Sequence, residues 1–150
     1  MSWNVLSGQL FNLINDNKGT LNIQEVYGYP RLKFSGYPAV SLFPSDNSND
    51  YETTTENLRE YVWRLRVFYD TKSPGEGLEE AHDALKVVFD ALLDLIDQEN
   101  MDNNYIGSGL PARYTFINIM GVPGLWGETI DENLLFAEMA VMIRVSIDVS

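Results

Sequence analysis

The chain has no cysteine, a single histidine and no long apolar run. Without cysteine there is neither a disulfide framework nor thiolate chemistry, and the composition suits a reducing cytoplasm. A stretch of about 18 apolar residues, the least a membrane-crossing helix needs, is absent. Met1-Ser2-Trp3-Asn4 lacks the basic start and apolar run of a secretory signal, so none is expected. Basic residues are scarce: 10 Lys and Arg stand against 22 Asp and Glu in 150 residues, a formal charge of −12. Affinity for DNA comes largely from Lys and Arg neutralising phosphates, so binding to nucleic acid or to an anionic membrane is disfavoured. The acidity fits a soluble, self-repelling surface, or a surface past which DNA slides without sticking.

Apolar residues make up 45 % of the chain and aromatics 12 %, enough for one hydrophobic core in a single domain over residues 1–150. Trp3, Leu6, Leu10, Leu13 and Ile14 recur at helical spacing and predict a helix over 2–17, closed by Gly19. A short strand is expected over 21–29, with Leu21 and Ile23 on one face, continuing over 31–34 after a kink at Pro30. Another is expected over 38–43, stopped by Pro44. Residues 45–57, SDNSNDYETTTEN, are rich in side chains that bond their own backbone. They predict a solvated loop or the tip of an extended hairpin, mobile until a partner orders it.

The clearest strand covers 58–70, with Tyr61, Trp63, Leu65, Val67 and Tyr69 on one face and Val62, Arg64, Arg66 and Phe68 on the other. A long helix follows over 78–100, burying Ala81, Leu85, Val88, Leu92 and Leu95 or Ile96. After a loop at 102–110 come a strand over 113–120, a second loop over 121–133 carrying Trp126, and a final strand over 134–149 in which Met139, Val141, Ile143, Val145 and Ile147 alternate with Ala140, Met142, Arg144, Ser146 and Asp148. The order predicts an α+β fold: a mainly antiparallel sheet of four to five strands, with two helices on one face. The opposite face mixes Arg64, Arg66 and Arg144 with Val62, Phe68 and Met142, and either loops or a partner can cover it.

Chemistry is hard to find. His82 has no nucleophile or orienting partner that the sequence can place beside it, and it reads as a surface residue. Asp46, Ser48 and Asp50 alternate like the start of a calcium loop, but Tyr51 and Asn57 occupy the positions that need glycine and glutamate. Asp90, Asp94 and Asp97 share a helix face without a histidine and read as a solvated acidic stripe. Gly107-Ser108-Gly109 lacks the third glycine and the lysine of phosphate-binding loops. No catalytic residue, cofactor or metal is therefore expected. Trp126, in the Gly/Pro context GVPGLWGET, reads as a loop anchor or as an interface anchor.

The segments GYPAVSLFPSDN (36–47) and DYETTTEN (50–57), followed by a strand ending in Val67-Phe68-Tyr69, resemble the tail terminator, or tail completion, proteins of long-tailed phages. The flanking helices and final β segment extend the likeness over nearly the whole chain. The resemblance implies a non-enzymatic structural protein that forms a homohexameric ring. Such a ring sits at the head-proximal end of the virion tail, made in the host cytoplasm, where it caps the tail tube and meets a neck or head-completion protein while DNA passes through unbound. Neck and head–tail connector ring proteins share the same size and layout. A stand-alone peptide- or small-molecule-binding module is the alternative of a different class. On the ring reading the expected contact residues are Asp46, Asp50, Tyr51, Glu52, Thr54 and Glu56 of the polar hairpin, Arg64, Arg66, Met142 and Arg144 of the outer sheet face, and Trp126.

Overall fold

The computed structural model describes residues 2–30, 34–51, 56–71, 77–124, 128–131 and 134–148. Helix α1 (Ser2–Asp16) is followed by a single turn, α2 (Lys18–Leu21), and by strand β1 (Glu25–Tyr27). Strands β2 (Ala39–Tyr51) and β3 (Glu56–Asp70) form a long hairpin. Helix α3 (Leu78–Asp102) and a 3-10 turn (Gly107–Gly109) lead to β4 (Tyr114–Pro123), β5 (Glu128–Asp131) and β6 (Leu134–Asp148). The sheet order is β1-β2-β3-β6-β4, and β5 pairs with β6 beyond the end of β4. Every pairing is antiparallel except β1 with β2. The expected α+β class, with a mainly antiparallel sheet, is the observed one.

One side of the sheet is the core. Tyr61, Trp63, Leu65 and Val67 of β3 and Met139, Val141, Ile143, Val145 and Ile147 of β6 pack against both long helices. From α1 come Leu6, Leu10, Leu13 and Ile14; from α3 come Ala81, Leu85, Val88, Leu92 and Ile96. Trp3 meets Tyr61 and Trp63 edge-on, at 4.8 and 5.0 Å between centroids, the arrangement that ring quadrupoles favour. The buried Trp63 indole donates to Ser7 Oγ at 2.9 Å, so its one polar atom is satisfied.

Helix α3 begins at Gly77, whose φ of 73° needs glycine, because a Cβ there would lie 2.7 Å from the Thr71 carbonyl oxygen. It ends at Asn103 in the left-handed conformation. Buried Glu99, a carboxylate in the last turn and unfavourably placed for the helix dipole, accepts the backbone N–H groups of Asn104, Tyr105 and Ile106 at 3.1, 2.8 and 2.8 Å.

Several sequence expectations are corrected. Of residues 45–57, 45–51 and 56–57 are strand, as the hairpin alternative expects and the loop alternative does not, and 52–55 lie outside the described residues. β2 continues through Pro44 to Tyr51 and the ladder resumes at Glu56, because backbone pairing with β3 supplies what the polar side chains do not. Ser45 is the bulged residue between Pro44 and Asp46, and this part of β2 lies past its pairing with β1, which ends at Ser41, so proline is tolerated there. The expected strand over 21–29 shrinks to three residues. Leu21 and Ile23 are buried, but from α2 and the turn closed by Asn22, not from a strand face. Gly19 accordingly lies inside α2 and does not end the first helix. Strand β4 runs past Met120 to Pro123, and β5 occupies part of the expected second loop.

Candidate assembly interface

The sheet face opposite the helices has two unlike ends. At one end residues 34–37, which lead into parallel β2, lie over the face. Phe34 stacks at 4.9 Å from Phe68, which lies 5.9 Å from Phe136, while Tyr27 and Tyr37 flank Phe34 at 5.7 and 5.9 Å. The Ser41 hydroxyl donates to the Tyr29 carbonyl, and Glu25 accepts the Ser35 hydroxyl, tying the connection down on both sides. The Ser35 hydroxyl bond is the main reason that the Glu25 carboxyl lies below its usual range. Phe68, expected on an open face, is therefore buried.

At the other end the face is open. Register places Val62 beside Met142 and Met142 beside Met120; one step along, Arg64 pairs with Ala140 and Ala140 with Val122. Met120 is 38 % and Val122 44 % exposed. With Ile117 they account for half of the large, exposed hydrophobics among the described residues, all on one ten-residue strand. Charge surrounds this apolar centre. Glu138, with its side chain 5 % exposed, accepts Arg64 Nη1 at 2.8 Å and Arg66 Nε at 2.7 Å. The Arg66 guanidinium also lies 5.3 Å from the Phe43 ring centroid and 5.4 Å from that of Phe136. Arg144 Nε donates to Glu60 at 2.8 Å on the far side. These arginines, expected as contact residues, already have carboxylates in their own chain.

The free edge of β4 is blunted against strand addition. The Tyr114 N–H bonds the Pro111 carbonyl at 2.9 Å, the Ile119 N–H bonds Asn100 Oδ1 of α3 at 2.9 Å, and Pro123 has no N–H. Strand addition at this edge is therefore disfavoured.

The structure gathers Arg64, Arg66, Met142 and Arg144 on this face. Asp46 and Asp50 are placed by register opposite Val62 and Leu58, Tyr51 opposite Asn57, and Glu56 opposite Asp148, toward the hairpin tip. Glu52, Thr54 and Trp126 lie outside the described residues. Sequence reasoning missed Met120, Val122, Glu60 and Glu138. The alternation Met120, Val122 was a usable signal, but Gly121 and Pro123 suggested a loop. Gly121 is instead inside the strand and packs closely under α3, where a Cβ would lie 3.0 Å from Leu93 and 3.2 Å from Ile96 and crowd those side chains. Half-buried His82 lies on α3, one turn after Glu79 and next to Asp83 in sequence. Among the described residues no cluster of His, Cys, Asp and Glu could hold a metal, and no helix is long and apolar enough to cross a membrane.

No family model matches the chain, and no curated protein matches it. Its fold does match solved structures. One is a chain in the virion of a native gene transfer agent particle, at 13 % identity and a TM-score of 0.65, covering 95 % of this chain and 96 % of that one.

Proposed function

We propose that this protein is a non-catalytic structural subunit of a phage-like virion, a tail terminator whose copies close into a homohexameric ring. The ring caps the tail tube and offers its other side to a neck or head-completion protein. The observation that carries this reading is the end-to-end likeness of fold to a virion chain, with neither chain leaving a substantial part unmatched. A shared fold alone does not imply a shared role, and two features of this chain supply the rest. One is the open apolar patch on the outer sheet face, in a place where a free monomer has no reason to expose Met120 and Val122. The other is the charge of −12 per copy, which suits a ring whose lumen passes DNA without retaining it. The outer-face residues Arg64, Arg66, Met142 and Arg144, with the acidic hairpin end around Asp46, Asp50, Tyr51, Glu52, Thr54 and Glu56, and Trp126, are the contacts this role would use.

Size-exclusion chromatography with light scattering, followed by negative-stain electron microscopy, tests the reading. The expected result is six-fold rings. A particle that stays monomeric at every concentration, including in the presence of tail tubes, would reject it.

A further inference from the structure

We draw no further inference here: the strongest candidate, the open apolar patch of Val62, Met120, Val122 and Met142 on the outer sheet face, carries nothing more, because nothing in the structure shows what covers it.

Discussion

Strand β3 separates two environments that differ by one residue step. On its inner side Trp63 and Leu65 are sealed under α1 and α3, and the covering comes wholly from the same chain. On its outer side Val62 is half-buried and Arg64 is 49 % exposed, held by an ion pair to Glu138 and not by packing. The inner face is a finished core, whose stability depends on volume and fit. The outer face is finished only at the aromatic end, where Phe34 stacks on Phe68, which lies beside Phe136. At its open end the chain has paired its arginines but left Met120 and Val122 exposed to water.

The comparison can be broken most sharply on the inner side. Trp63→Ala should cost about 3–5 kcal/mol, by lost transfer energy and a cavity beside Trp3 and Tyr61. The neighbouring Val62→Ala should cost about 1 kcal/mol or less. Urea denaturation followed by circular dichroism measures both, and similar midpoint shifts would mean that the two sides are not different in kind.

Next in size is Glu138→Ala, which leaves Arg64 and Arg66 without their shared carboxylate. Removing one partner of a mostly buried pair costs about 1–3 kcal/mol, and the exposure of Arg64 and Arg66 pulls the value toward the lower end. In double-mutant cycles Arg66 should couple to Glu138 more strongly than Arg64 does, because it is less exposed (33 against 49 %) and lies between Phe43 and Phe136. Equal coupling would show that the aromatic setting of Arg66 adds nothing.

Smaller is the effect of Asn100→Ala, which frees the Ile119 N–H at the β4 edge. The expected loss is about 0.5–1.5 kcal/mol, the net value of one hydrogen bond. A more telling consequence is aggregation, since the edge then offers one more unpaired amide. Static light scattering on warming should rise earlier than for the parent, and an unchanged onset would show that the edge needs no such protection.

The smallest expected effect is at Glu25, which fastens the covered end. Its folded pKa is lowered, so its contribution is present above the unfolded value and is lost as pH falls through the folded one. Glu25→Gln should therefore bring the neutral-pH stability slightly toward that at acid pH and flatten the curve below the ordinary carboxylate range. A melt series across pH 3–6 at about half-unit steps follows it, and an unaltered acid limb would remove Glu25 from the account.

The sequence by itself determined the elements that bury apolar surface at a regular period. The α1 and α3 stripes and the alternations in β3 and β6 are local records of which side is covered, since burial selects residue type position by position. It also determined the scarcity of catalytic groupings and the acidic surface. Only the tertiary structure decided the rest. The polar run 46–51 becomes strand because β3 offers it a ladder, and backbone hydrogen bonds leave no trace in composition. Glu138 meets Arg64 and Arg66 across separations of 74 and 72 residues, a distance over which periodicity carries no information. Met120 and Val122 acquire their meaning only when β4 is laid beside β6 and, among the described residues, both are left exposed. A face left open is a relation among strands far apart in sequence, and it exists only after the sheet has formed.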